Sequence, residues 1–197
     1  MAKEVKGNNS DGLILEIKAM VLELCKDKAW DWRPHIEGVV KYSKLLAEKL
    51  GADKEICEIS AWLHDITKLK ESRQAEHHIT GSEEAARILQ EYKYPPDRIE
   101  RIKHCILTHS SRDGYFPDSK EAKIVASADA LSLLDNFLNL AQFVYGIKKY
   151  SVEKGRQELI KRYKSYVHKL EWIPEAKEIG KAKLDAIELI LGINHIK

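Results

Sequence analysis

Long apolar runs are missing from this sequence: no uncharged stretch approaches the length that crosses a bilayer. The polar start, Met1 to Gly12, also lacks the apolar core of a secretory signal. A cytoplasmic protein with no membrane partner is therefore expected. Cysteine is scarce as well. Cys25, Cys57 and Cys105 are odd in number, far apart and without a CxxC partner, which argues against a disulfide framework or a thiolate metal site and suits a reducing compartment. Neither sign of charge is in large excess. With 33 Lys+Arg against 31 Asp+Glu, a formal net charge of +2, a nucleic-acid partner is not expected. Strand-like alternation, internal repeats and low-complexity segments are absent too.

What is present is helical periodicity almost throughout. Leu13, Ile14, Ile17, Met20, Val21, Leu24 and Cys25 define an amphipathic helix over 13–25. A second opens at Pro34, in a first turn where a missing N–H does no harm, and stops at Gly51. Asp53 can cap a third, which carries the apolar run from Ile56 to Ile66. Residues 68–76 are charged, lack periodicity and read as a loop. The capping-box spacing of Thr80 and Glu83 predicts a helix from near Gly81 to about Tyr92, with His77 and His78 just before it. The pattern breaks at Tyr94-Pro95-Pro96-Asp97, restarts from Arg98 to His109, and gives way to a loop over 110–119. Asp118 and Glu121 suggest a second capping box, opening a long helix to about Tyr145, and two further helices cover 152–170 and 175–191. A chain of 197 residues can bury roughly 70% of its unfolded surface. The fold expected is all-α: a compact bundle of about eight helices, with a flexible terminus over 1–10 and a single domain over 11–197.

The chemistry gathers on a few inward-facing side chains. His64 and Asp65 sit side by side at the end of a run in which Glu58 is the only other charge. Burying a carboxylate without a partner costs roughly several kcal/mol, so Asp65 needs a counter-charge or a metal. The plainer alternative is that Asp65 caps the next turn and His64 is a core histidine. His35 shares a face with Val39, Tyr42 and Leu46, a position that suits a structural histidine as well as a ligand. Ile99, Ile102, Ile106 and His109 step by three and four, whereas His104 lies about 140° away from His109, on a charged side. Asp129 is the only charged residue between Lys123 and Asp135. The helix over 152–170 interleaves Tyr163 and Tyr166 with Lys and Arg, which suits a solvated face or a phosphate-bearing partner.

With His77 added, the inward candidates are His35, His64, Asp65, His77, His109 and Asp129. This mix of imidazole and carboxylate suits iron, manganese, nickel or zinc, as one ion or two. Their order and context resemble the HD-domain superfamily of metal-dependent phosphohydrolases over about residues 30–140. Trp62-Leu63-His64-Asp65-Ile66-Thr67-Lys68 is similar to the family's Leu-Leu-His-Asp-Ile-Gly-Lys, and Val125-Ala126-Ser127-Ala128-Asp129-Ala130-Leu131 to its Ala-Asp helix. The resemblance implies an HD-type core over about 30–140, with a helical extension over about 150–192. It implies metal ligation by His35, His64, Asp65 and Asp129. From two-metal members it adds His77, four residues before Gly81, and His109; that spacing alone prefers His77 to His78. Thr67 replaces a frequent glycine, and Gly38 stands where one nucleotide-hydrolysing branch has an arginine.

The activity so implied is hydrolysis of a phosphoester or phosphoanhydride, in a nucleotide or other small phosphorylated compound, by metal-activated water. Asp65 and Lys68 are the catalytic candidates, and Lys68 and Arg112 the candidates for contact with substrate phosphate. The alternative is a metal-stabilised module that binds a nucleotide without turnover.

Overall fold

Helical periodicity becomes ten α-helices and one π-helical turn among the described residues of the computed structural model, which are 10–26, 28, 31–71 and 76–193. In chain order they are α1 (Ser10–Leu24), α2 (Arg33–Leu50), α3 (Lys54–Leu63), α4 (Ile66–Glu71), α5 (His77–Glu91), α6 (Pro96–Thr108), α7 (Lys120–Asp135), α8 (Phe137–Gln142), the π turn Phe143–Ile147, α9 (Val152–Leu170) and α10 (Pro174–Leu191). None is long and apolar enough on its own to cross a membrane. Of the terminus expected to be flexible, residues 1–9 lie outside the described residues, and α1 starts at Ser10.

The all-α expectation holds, and α7 is its axis. Eleven of its sixteen residues are buried, because α2, α3, α6, α9 and α10 all pack against it. A helix buried over most of its length is a core helix, which is why Asp129, the one charge among its buried residues, stands out. Against α7 lies α2, and the closest approach is at Gly38: a Cβ added there would meet Ser132 Oγ at 2.4 Å. An arginine has no room at this position. Alanine in a helix is ordinarily favoured over glycine by about 0.5–1 kcal/mol, yet Gly38→Ala is expected to destabilise by about 1–3 kcal/mol through overpacking. A lowered urea midpoint at unchanged slope would show it; a midpoint at or above wild type would mean the two helices separate freely.

Four boundaries depart from the sequence expectation. Residues 68–71 are helical rather than loop, as part of α4, because Ile66 and Leu69, three apart, are both fully buried and pin one turn to the core; residues 72–75 of that expected loop lie outside the described set. The fifth helix starts at His77, not near Gly81. Thr80 does not cap it: its hydroxyl lies within hydrogen-bond reach of Thr67 Oγ1 (3.2 Å) and the Glu76 carbonyl (3.3 Å). At α7 the cap is Ser119, whose Oγ accepts from the Ala122 N–H at 3.1 Å. Asp118 instead meets His104 Nε2 at 2.6 Å, and Glu121 accepts from the Asp53 N–H at 3.1 Å. The long helix to Tyr145 is broken at Asn136, whose N–H and side-chain amide both donate to the Ser132 carbonyl. Beyond it the chain turns by 75°. Periodicity alone runs through such a break, since the residues on both sides continue to bury one face.

Candidate metal centre

Helix ends deliver most of the site. The last carbonyls of a helix lack intrahelical donors, and two histidines supply them. His64, at the end of α3, sets its Nδ1 2.8 Å from the Ala61 carbonyl, and His109, at the end of α6, sets its Nδ1 2.6 Å from that of Ile106. Each Nδ1 must carry a proton, so in the neutral ring Nε2 keeps its lone pair. His35, in the first turn of α2, is fixed from α7: Ser132 Oγ donates to its carbonyl at 2.7 Å and lies 3.2 Å from its Nδ1. With that hydroxyl proton engaged, Ser132 accepts from Nδ1–H, and again Nε2 is left as an acceptor. Asp65 occupies the turn between α3 and α4, His77 begins α5, and Asp129 is in mid α7. All six are 5% exposed or less.

Their donor atoms fall into two groups, His35–His64–Asp129 and Asp65–His77–His109, each with ligand atoms within 4.8 Å of one another. In the first, His35 Nε2 is 3.3 Å from His64 Nε2 and 3.4 Å from Asp129 Oδ1. In the second, Asp65 Oδ1 is 3.7 Å from His77 Nε2 and 3.6 Å from His109 Nε2. Asp65 also faces the first group, its Oδ2 lying 3.5 Å from His64 Nε2 and 3.9 Å from His35 Nε2. Two ligands about 2.1 Å from one ion stand roughly 3.0 Å apart at a right angle and about 4.2 Å apart on opposite sides, a range that contains all of these separations. The tautomers make the same point. Two imidazole lone pairs converging at 3.3 Å, beside a carboxylate and away from water, repel one another unless a metal ion or a shared proton lies between them. The donor set thus fits a divalent transition metal.

Electrostatics keep the donors in their binding forms. Burial pulls the His35 imidazole down to about 4, against the opposing pull of Asp129, and burial also lowers His109. Burial works to raise Asp65, but Lys68 first, and then the surrounding imidazoles, outweigh it and hold the carboxyl well below the usual range. At pH 7 His35 and His109 are thus neutral imidazoles and Asp65 and Asp129 ionised carboxylates, as a metal requires. In metal-free protein the lowered His35 has a stability consequence. Its contribution is full above pH 6.5, its ordinary value, and is lost as pH falls toward about 4, because the unfolded chain takes up the proton first. The loss amounts to about 3 kcal/mol. Urea midpoints of the chelated protein should drop between about pH 7 and 4.5, and less steeply for His35→Asn; a level wild-type profile would overturn this.

These positions coincide with a known pattern, for the family model described as HD domain matches residues 34–134, just over half of the chain. The chain belongs to the HD-domain family. It is also 33% identical, over 121 residues, to a tRNA (cytidine(56)-2'-O)-methyltransferase of Picrophilus torridus; that stretch is 56% of this chain but only 34% of the relative, so the chain spans about a third of that protein's length. Among solved structures, a Listeria innocua protein superposes with a TM-score of 0.68 at 20% identity, covering 94% of each chain. A HD-superfamily hydrolase from Bacillus thuringiensis superposes at 0.60 with 21% identity, over 96% of this chain and all of that one. At these identities the two structures establish a shared fold.

One site residue of this HD domain was not singled out in the sequence, and it lies outside the matched segment. Lys169 on α9 is 4% exposed, its ammonium 2.7 Å from Asp129 Oδ2, while its carbonyl accepts from Ser127 Oγ of α7 at 2.9 Å. Burial works to raise Asp129, but Lys169, ahead of the imidazoles, holds it below its ordinary value. Asp129 therefore turns Oδ2 to Lys169 and Oδ1 to the first donor group. Lys68 lies 2.9 Å from Asp65 Oδ1 and over the Trp32 ring at 5.8 Å. Both ammonium groups, with Arg112 of the α6–α7 loop, line a cavity of about 770 Å³ that opens on His35, Asp65, His77, His109 and Asp129. The same lining holds the apolar side chains of Leu133, Leu140, Phe143 and Ile147. His78 is buried but points elsewhere, toward Asp113 (3.5 Å) and Tyr115, and His104 is partly exposed against Asp118.

Proposed function

We propose that this HD-domain chain is a metal-dependent phosphohydrolase that cleaves a phosphoester or phosphoanhydride bond in a nucleotide or another small phosphorylated compound. One observation carries the reading: two buried groups of ligand-competent side chains meet at Asp65 on the floor of a cavity lined by cations. His35, His64 and Asp129 would hold one divalent ion, His77 and His109 a second, and Asp65, facing both groups, would be shared. Iron, manganese, nickel and zinc all accept such donors. A bound ion of this kind lowers the pKa of its water from 15.7 to about 7 in the zinc case and polarises a phosphoryl oxygen.

The protein's own contribution is placement and charge. The backbone carbonyls of Ala61 and Ile106 fix the His64 and His109 rings, which keeps each Nε2 aimed inward. Lys68 holds Asp65 and presents its ammonium to the cavity, where it would meet charge building on the transferred phosphoryl group. The helices are read as one domain, a core of about 30–140 with α9 and α10 as its extension, because α9 packs along α7 and reaches into the site.

The test is elemental analysis of untagged protein purified without chelator, followed by hydrolysis assays on mono- and diester phosphates and nucleotides with each metal in turn. One or two ions per chain with metal-dependent release of phosphate or alcohol is the expected result. Protein that stays empty after reconstitution with all four metals defeats the proposal; bound metal without turnover on any phosphate favours a binding module instead.

A further inference from the structure

The cavity carries more positive charge than its own acids balance. Lys68, Lys169 and Arg162 pair with Asp65, Asp129 and Glu158, whereas Arg112, in the same lining, forms no ion pair with a described residue. Two hydroxyls add an independent observation. Ser110, 7% exposed, and Tyr166, 5% exposed, both line the cavity. Neither Ser110 Oγ nor Tyr166 Oη makes a hydrogen bond of good geometry to a described residue. Unpaired buried polar atoms are uncommon and call for an explanation. The Tyr166 hydroxyl lies beside Arg162, and Asp129 and Arg112 both act on it electrostatically, so donors from α9 and from the α6–α7 loop share one cavity with the metal ligands. Guanidinium groups only donate, and a hydroxyl can do so. What such a set recognises is an oxyanion, held more strongly for being shielded from water.

We propose that Ser110, Arg112, Arg162 and Tyr166 form a second oxyanion subsite, so that the substrate carries two linked phosphoryl groups, one at the metal ligands and its neighbour here. This rests on the phosphohydrolase reading, which supplies the first position. Arg162 pairs with Glu158 at 2.8 Å, one third exposed, and lies over the Phe143 ring at 5.9 Å; binding exchanges that surface pair for a shielded anion. The rest of the cavity, with its apolar side chains, takes the organic part of the molecule.

The experiment is calorimetric titration of the metal-loaded protein with orthophosphate and with methylenebisphosphonate, whose P–C–P link resists hydrolysis. Wild type is compared with Tyr166→Phe, which removes a single oxygen, and with Arg112→Gln. Each variant should weaken the bisphosphonate by about 5- to 50-fold and orthophosphate by less than about twofold. Comparison across variants cancels the chelating advantage of a bisphosphonate on the metal itself. Equal weakening of both anions, or of neither, overturns the subsite while leaving the phosphohydrolase reading intact. Failure of orthophosphate to bind metal-loaded wild type would take down both.

Discussion

Replacing Asp65 with alanine is expected to strip the proposed transition metal from the protein and to lower the proposed phosphohydrolase turnover by more than about 100-fold. Removing an outer partner of a metal ligand typically costs about 10–100-fold, and Asp65 is the one side chain that faces both donor groups, with Oδ1 toward His77 and His109 and Oδ2 toward His64 and His35. Without it neither group retains a shared negative charge. The fold should survive, because Lys68, the cation left behind, is partly exposed and can turn to solvent. Metal content by elemental analysis, with circular dichroism as the check on folding, decides the matter. A folded variant that keeps its full metal complement would show that Asp65 is a structural carboxylate paired to Lys68.

Lys169→Met has the second large effect, and its size should depend on metal. In the metal-free protein the substitution leaves Asp129 as a buried charge without its ammonium, a change that costs about 3–5 kcal/mol. For a chain of this length that is a fall of roughly 6–20 °C in Tm. A divalent ion bound to Asp129 replaces the missing positive charge, so the deficit should shrink when metal is added, and the metal-induced rise in Tm should exceed that of wild type. Thermal melts with chelator and with saturating metal measure both quantities. A deficit of the same size in the two conditions would mean that Lys169 acts only as a strut between α9 and α7.

These two residues mark how far the sequence could be read. His64 and Asp65 were legible because they end an apolar run, His109 because it ends an apolar stripe, and Asp129 because nothing else near it is charged. His77 is told apart from His78 only by the resemblance and its spacing to Gly81; a residue outside any recognised helical face gives periodicity nothing to act on. Its expected loop is in fact the first turn of α5. Lys169 was lost among the other basic residues of α9. Its neighbours held a usable signal, since Leu159, Tyr163, Tyr166 and Leu170 form the buried stripe, and Lys169 lies at its edge. A lone carboxylate in an apolar helix demands a cation, and a lysine bordering another helix's apolar stripe is where to look. The capping boxes failed for a common reason. Thr80 and Asp118 were read as local caps, but both are engaged by partners distant in sequence, Thr67 and His104.

The turn at Asn136 divides the chain's labour. Upstream of it stand every proposed metal ligand and Lys68; downstream come Leu140, Phe143 and Ile147, three of the four apolar residues named in the cavity lining, with Lys169 further on. Selection on residues 137–147 can therefore reshape which organic group is accommodated while the reactive centre is inherited unchanged. That segment is a natural seam for exchange between relatives, and the place where directed evolution of a new substrate preference should concentrate its diversity.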